Sequence, residues 1–192
     1  FLVLSVATLT ATAATSAIAK GDRQLAELKE QLEQPTTAPE IKQGGLWVTG
    51  DSVILGIRFE LDTRQHIGLI NARVGRQAPE LLEVIQHDKA NMQGATIVLN
   101  LGNNNKLTED QVAAIFTAIS DQPKIIVVNT AVPRGWRDEN NALIAQYAAQ
   151  YGAQLVDWAA ISDGHPEYFG PDGVHLVPAG VRAYVDAITS KL

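Results

Sequence analysis

The chain has 192 residues, 46% of them hydrophobic and 19% charged, which suits one compact domain with an additional segment. The net charge of -6 and the scattered lysines and arginines argue against a nucleic-acid partner, because binding to phosphates needs clustered positive charge. The absence of cysteine excludes disulfides, thiolate catalysis and cysteine-bound zinc.

The first segment, residues 1–19, is uncharged and rich in alanine and threonine. Its pattern favours a truncated membrane span, with a signal peptide or an ordinary alanine-rich helix as the alternatives. A signal peptide needs a basic start, and the first basic residue is Lys20. Residues 20–44 then combine a short amphipathic helical pattern with a proline-containing stretch, which predicts a helical stalk and linker.

From residue 46 onward, short β-branched runs alternate with longer amphipathic stretches. Strands are predicted at 46–49, 66–74, 95–101, 124–130 and 154–158. Helices are predicted to begin near Pro79, at Thr108, near Arg137 and after Pro178. Buried strands separated by helices predict an α/β domain over residues 45–192, with a three-layer, doubly wound, flavodoxin-like parallel sheet.

Polar residues follow the predicted strands at the points where ligands bind in such folds. The segments are Gly50-Asp51-Ser52, Gly75-Arg76-Gln77, Gly102-Asn103-Asn104-Asn105 and, before the last helix, Asp172-Gly173-Val174-His175. We therefore expect these loops to meet at one edge of the sheet.

These residue types suit acyl transfer. A serine needs a base to become nucleophilic at neutral pH, and a histidine needs a carboxylate to hold its tautomer. Ser52 is the predicted nucleophile, His175 its base and Asp172 the partner of the histidine. The predicted oxyanion donors are the backbone N–H groups of Ser52 and Gly75 and the side-chain amide of Asn104.

The four segments together resemble the SGNH hydrolases, a family named for Ser, Gly, Asn and His in four separate blocks. The resemblance covers residues 46–192, and the order of the blocks makes it specific although each block alone is weak. It implies the SGNH fold, the Ser-His-Asp triad and the oxyanion donors named above.

A closer resemblance is to the extracytoplasmic domain of peptidoglycan O-acetyltransferases, which follows an acyltransferase-3 membrane domain. It rests on three stretches, written TGDSV, VGRQ and DGVHL, and on Asn129-Thr130 followed by Pro133-Arg134-x-Trp136. It implies acetyl transfer through acetyl-serine to the 6-hydroxyl of an amino sugar in the peptidoglycan glycan strand. It also implies an acetyl donor supplied by a membrane acyltransferase domain, a membrane-tethered protein and a catalytic domain on the extracytoplasmic face of the cell membrane.

One position departs from many SGNH esterases, which have Asp after the third-block Asn where this chain has Asn105. An uncharged residue there cannot orient Asn104 through a carboxylate. The acetyltransferases also lack that Asp, as the resemblance has it, so the departure favours a transferase.

Several residues have plainer interpretations. Ser52 is also a suitable N-cap for a helix that begins at Val53, and Asp51 could share that role. Arg76 and Gln77 are predicted to contact either substrate or the first turn of the next helix, and Trp136 either a sugar ring or the protein interior.

Other histidines give weaker signals. Asp163-Gly164-His165 is a rival catalytic pair, whereas His66 and His87 are predicted to be surface residues. The chain has no recognisable metal or cofactor motif, so we expect neither.

Two other functions stay open at this stage. The first is an SGNH esterase that acts on acetylated carbohydrate or lipid, and the second is a catalytically inactive glycan-binding module.

Overall fold

The computed structural model describes residues 45–192, and the predicted membrane segment, stalk and linker lie outside these residues. The described part forms a five-stranded parallel sheet in the order β2-β1-β3-β4-β5. The strands are β1 (Leu46–Gly50), β2 (Ile67–Ala72), β3 (Thr96–Asn100), β4 (Lys124–Val128) and β5 (Gln154–Val156). The predicted fold class is confirmed, and every predicted strand exists, most of them shorter than the sequence pattern indicated.

Within residues 45–192, six helices connect or follow the strands. They are α1 (Ser52–Arg64), α2 (Ala78–Asp88), α3 (Glu109–Ile119), α4 (Arg137–Gln150), α5 (Trp158–Ile161) and α6 (Pro178–Thr189). Short 3₁₀ turns occur at Lys89–Asn91 and Pro166–Tyr168. None of the helices in residues 45–192 combines the length and the apolar character that crossing a bilayer would require.

Successive side chains of each buried strand point to opposite faces of the sheet, so helices pack on both faces and the domain has three layers. In β1, Trp47 packs with α2, α3 and α4 on one face, whereas Leu46 and Val48 pack with α1 and α6 on the other. β3 and β4 repeat this pattern, and all of their residues except Thr96 and Lys124 are buried. The sheet is therefore a rigid core whose loops at the carboxyl ends of the strands can carry a site.

The point at which strand order reverses lies between β1 and β3. The chain runs from β1 outward to β2 and then returns to place β3 on the other side of β1. Thr49 pairs with Leu99 in this register, so the segments after β1 and β3 leave the sheet side by side. In open parallel sheets, the crevice at such a reversal is where ligands bind.

The segment before α6 is shaped by a close approach between backbones. Gly180, in the first turn of α6, lies against the backbone of Tyr168, and a Cβ on Gly180 would overlap the Tyr168 carbonyl oxygen and lie 2.9 Å from its carbonyl carbon. Backbone atoms cannot yield as a flexible side chain can. The close packing therefore fixes the 3₁₀ turn against α6, with Asp172 and His175 in the loop between them.

We predict that Gly180→Ala lowers the free energy of unfolding by about 2–3 kcal/mol, because overpacking outweighs the gain in helix propensity. Gly56→Ala is the matched control, since a Cβ on this glycine of α1 would meet nothing within 4 Å. The control should gain about 0.5–1 kcal/mol. Urea unfolding of the two variants and the parent chain measures the difference, and equal stabilities would contradict the packing argument.

Candidate active site

The predicted triad forms a chain of hydrogen bonds. His175 Nε2 lies 3.0 Å from Ser52 Oγ, and His175 Nδ1 lies 2.6 Å from Asp172 Oδ2. Ser52 is the first residue of α1, directly after β1, whereas Asp172 and His175 come from the loop before α6. The fold thus brings together side chains more than 120 residues apart in the sequence.

The two oxygens of Asp172 have different partners. Oδ1 accepts hydrogen bonds from the backbone N–H groups of Val174 at 2.9 Å and His175 at 3.0 Å, which fixes the turn, while Oδ2 contacts the imidazole. The hydrogen bond from His175, followed by the two backbone N–H groups, holds the pKa of Asp172 well below its usual range. The carboxylate is therefore charged throughout the neutral pH range and favours the tautomer in which Nδ1 carries the proton.

Asp51, and not Ser52, caps α1. Its Oδ1 accepts a hydrogen bond from the backbone N–H of Val53 at 2.9 Å, so the alternative interpretation of Ser52 as the N-cap is wrong. The Ser52 hydroxyl is left to face His175, and its N–H belongs to the first turn of the helix, where backbone N–H groups have no intrahelical partner. A serine at this position therefore presents both a hydroxyl and an N–H donor.

The second and third segments lie beside the first. Gly75 has a φ of +71°, a conformation that side-chain-bearing residues rarely adopt, in an exposed turn after β2. The Asn104 amide donates to Asp51 Oδ2 at 2.8 Å and to the carbonyl oxygen of Arg76 at 3.2 Å. Hydrogen bonds therefore join all three segments that carry the predicted oxyanion donors.

The carboxylate contact to Asn104 comes from an unexpected residue. Asn105, where many SGNH esterases have Asp, instead accepts a hydrogen bond from the backbone N–H of Ala78 at the start of α2. Asp51 supplies the contact from the first segment. Sequence reasoning identified Asp51 as a possible cap, but no pattern in the sequence indicated its link to Asn104.

Asp51 is only 3% exposed, and burial raises its pKa above the usual range. Burial of the charged form costs folding free energy, and the hydrogen bonds from Val53 and Asn104 offset part of this cost. A raised folded pKa means that the contribution of this group to stability is complete below the unfolded pKa of about 3.9 and is lost as pH rises through the folded value.

We predict that Asp51→Asn gains stability relative to the parent chain as pH rises from 4 to 7, because the parent chain loses stability above the unfolded pKa of about 3.9 when the folded pKa is raised, whereas an amide does not titrate. Its acetyl-ester turnover should fall about 10-fold to 100-fold, since an amide at this position cannot accept from both Val53 and Asn104. Urea unfolding at the two pH values and steady-state kinetics provide the measurements. Exposed Asp163→Asn is the control; a parallel pH response in both variants would contradict the prediction.

The residues predicted to contact substrate differ in how far they are buried. The Arg76 guanidinium is buried and donates to the carbonyl oxygens of Gly50 and Asn71 and to the side chain of Asn71, and desolvation lowers its pKa. Gln77 is exposed and forms the N-cap position of α2, with its N–H donating to Glu80. These positions favour a role for Arg76 within the protein; substrate contact by either residue stays a prediction.

Trp136 precedes α4 and is half-buried. Its buried indole nitrogen has no hydrogen-bond partner among residues 45–192. Stacking of this ring on a sugar also stays a prediction.

The rival pair does not form. His165 Nδ1 contacts Glu167 at 2.8 Å instead of Asp163, and its ring stacks on Tyr168. Residues 45–192 contain no cluster of three potential metal-binding side chains.

Comparison with known proteins finds curated relatives of this chain. The chain is 39% identical over 144 residues to the peptidoglycan O-acetyltransferase OatA of Listeria monocytogenes, an alignment that covers 74% of the chain but only 23% of that relative. No family profile matches the chain.

Solved structures show the same fold. The C-terminal catalytic domain of Streptococcus pneumoniae peptidoglycan O-acetyltransferase A, with a methylsulfonyl adduct, aligns with a TM-score of 0.63 and 24% identity over 78% of this chain and 92% of that one. A candidate SGNH hydrolase of Slackia heliotrinireducens aligns with a TM-score of 0.66 and 20% identity over 78% and 99%. The chain therefore has the SGNH fold, and it is similar in sequence to about a quarter of the length of relatives named peptidoglycan O-acetyltransferase.

Proposed function

We propose that the domain transfers an acetyl group, through an acetyl-Ser52 intermediate, to the 6-hydroxyl of an amino sugar in the cell-wall glycan. The observation that carries the proposal is the series of hydrogen bonds that links Ser52, His175 and Asp172, in a chain related to peptidoglycan O-acetyltransferases. The relatives supply the substrate class, and the geometry supplies the chemistry.

In the first step, Ser52 Oγ attacks the carbonyl carbon of the acetyl donor while its proton passes to His175 Nε2. The negative charge on the carbonyl oxygen is stabilised by the N–H groups of Ser52 and Gly75 and by the Asn104 amide. The bond to the leaving group then breaks, His175 returns its proton to that group, and acetyl-Ser52 remains.

In the second step, His175 removes the proton of the acceptor hydroxyl, whose oxygen attacks the acetyl carbon. The bond to Ser52 Oγ breaks, and the proton returns from His175 to the serine. Asp172 stays charged in both steps because its pKa is held low, and it stabilises the imidazolium that forms in each.

Asn104 needs one rearrangement to take part. Its two amide hydrogens point to Asp51 and to the Arg76 carbonyl, and the contact to Arg76 is the longer of the two. We expect the oxyanion to replace the Arg76 carbonyl as the partner of that hydrogen while Asp51 keeps the amide in place. The charge on the oxyanion makes this exchange favourable.

The acceptor decides whether the reaction is transfer or hydrolysis. The side chains of Asp172 and His175 are 51% and 55% exposed, so water reaches the triad when no acceptor is bound. For transfer, a bound sugar must place its hydroxyl where water would otherwise attack the acetyl carbon, and it must also exclude water from the site. We infer weak esterase activity on simple acetyl esters in the absence of glycan.

The wider setting is also part of the proposal. Because the chain spans about a quarter of the length of the curated relatives it matches, we propose that a membrane acyltransferase domain supplies the acetyl donor. The catalytic domain would then work on the extracytoplasmic face of the membrane, with peptidoglycan as acceptor.

The test uses the 192-residue chain with p-nitrophenyl acetate, with and without a chitooligosaccharide. Mass spectrometry should detect acetyl on Ser52 without glycan, and a mass increase on the oligosaccharide with glycan. Release of acetate and p-nitrophenol without any mass increase on the oligosaccharide would favour an SGNH esterase. No labelling of Ser52 and no turnover would indicate a glycan-binding module.

A further inference from the structure

Asn140, in the first part of α4, is fully buried, and its side chain contacts a neighbouring loop in three places. Its Nδ2 donates to the carbonyl oxygens of Gly102 at 3.0 Å and Asn105 at 2.9 Å. Its Oδ1 accepts from the backbone N–H of Leu107 at 2.8 Å. One amide therefore uses both donors and its acceptor on a single stretch of backbone.

That stretch is the loop between β3 and α3 that carries Asn104. The contacts at Gly102 and Asn105 lie on either side of Asn104 in the sequence, and the contact at Leu107 lies just beyond. The loop has no regular secondary structure of its own, so buried backbone groups in it need partners from elsewhere. Asn140 supplies three of those partners and so limits where Asn104 can lie.

The side chain of Asn140 is well suited to this role. An aspartate has no donor for the two carbonyl oxygens, and an apolar residue would leave all three backbone groups without a partner. The fit is also close, since a Cβ on Gly102 would lie 3.1 Å from Asn140 Nδ2.

We propose that Asn140 is a positioning residue for the oxyanion hole, acting through the loop that carries Asn104. This inference rests on the proposed acyl transfer at Ser52. Asn140 is fully buried, and its side-chain hydrogen bonds go to the loop backbone and not to the triad. It holds the loop backbone while Asp51 holds the Asn104 amide. Together these two contacts place the donor before the reaction begins.

Loss of the hydrogen bonds between Asn140 and the loop is expected to destabilise the transition state more than it weakens substrate binding, because the oxyanion exists only during the reaction. For Asn140→Ala we expect kcat for p-nitrophenyl acetate to fall about 10-fold to 100-fold, with KM changed less than about threefold. Asn140→Asp keeps the size and the acceptor for Leu107 but loses both donors, so it should show a similar fall.

Asn141 provides the matched control. Its side chain makes the same kind of contact to a different loop, accepting from the backbone N–H of Thr130 at 3.0 Å and donating to its carbonyl oxygen at 2.8 Å. Asn141→Ala removes comparable hydrogen bonds without touching the Asn104 loop. We expect its kcat to stay within about threefold of the parent value.

The decisive experiment is a double-mutant cycle with Asn104→Ala. If Asn140 acts through Asn104, Asn140→Ala lowers kcat in the parent chain but causes little further loss in the Asn104→Ala background. Equal losses in both backgrounds would overturn the inference, as would an unchanged kcat in folded Asn140→Ala. Asn140→Asp enters the same cycle, so that the test stands if the alanine variant does not fold.

The cycle also separates this inference from the proposed function. Activity that persists in Ser52→Ala would contradict acyl transfer at Ser52 itself. Activity that depends on Ser52, combined with additive effects at Asn104 and Asn140, would contradict only the positioning role.

Discussion

Ser52→Ala is expected to reduce turnover of an activated acetyl ester by about 10⁴-fold to 10⁶-fold and to abolish acetylation of the chain. The variant lacks the oxygen that attacks the acetyl carbon, whereas the other predicted donors and His175 are unchanged. Stability should be preserved or slightly increased, because the cap of α1 is Asp51 and alanine is favoured within a helix. Kinetics, intact-protein mass spectrometry and urea unfolding measure these three outcomes.

Ser120→Ala is the matched control, since this exposed serine lies at the end of α3, in a loop that leads into the opposite end of the sheet. It should retain the activity of the parent chain. A large loss of stability in Ser52→Ala would mean that the serine has a structural role instead. Full turnover in Ser52→Ala would rule out the acetyl-serine intermediate.

The fold could be predicted because its signals are local. Runs of β-branched residues mark the strands, and Thr108 with Gln111 marks the start of α3 by a capping box that the structure contains. Because ligands bind at the carboxyl ends of strands in such folds, the loops that meet beside Ser52 could be predicted as the site. The last residue of a strand is harder to predict, because apolar residues continue past the last hydrogen bond between the strands. Trp158, for example, is predicted from the sequence to end β5 but begins α5.

The contacts that support the site could not be predicted in the same way. Asp51 holds Asn104, 53 positions away, and Asn140 holds Leu107, 33 positions away, and neither spacing corresponds to a helix or strand period. The sequence predicts contact of Arg76 with substrate or with the first turn of the next helix, whereas its guanidinium is buried and donates to the carbonyl oxygens of Gly50 and Asn71. Such long-range polar contacts depend on how the loops fold over the sheet.

Asp172→Asn should lower kcat for the acetyl ester by about 10⁴-fold while the loop keeps its conformation. The two oxygens of Asp172 have separate tasks, and an asparagine can still accept from Val174 and His175 through Oδ1. Its amide nitrogen, however, would face His175 Nδ1 and favour the tautomer with the proton on Nε2. That nitrogen could then no longer accept the proton of Ser52.

The pH dependence gives this prediction a second test. A depressed folded pKa means that the contribution of Asp172 to stability is present above the unfolded pKa of about 3.9 and is lost as pH falls through the folded value. The stability advantage that this carboxylate gives the parent chain over Asp172→Asn should therefore decrease as pH falls below about 3.9. Asp163→Asn, in the same segment of the chain, should keep full activity. A loss of activity in Asp163→Asn as large as that in Asp172→Asn would transfer the carboxylate role to the rival pair.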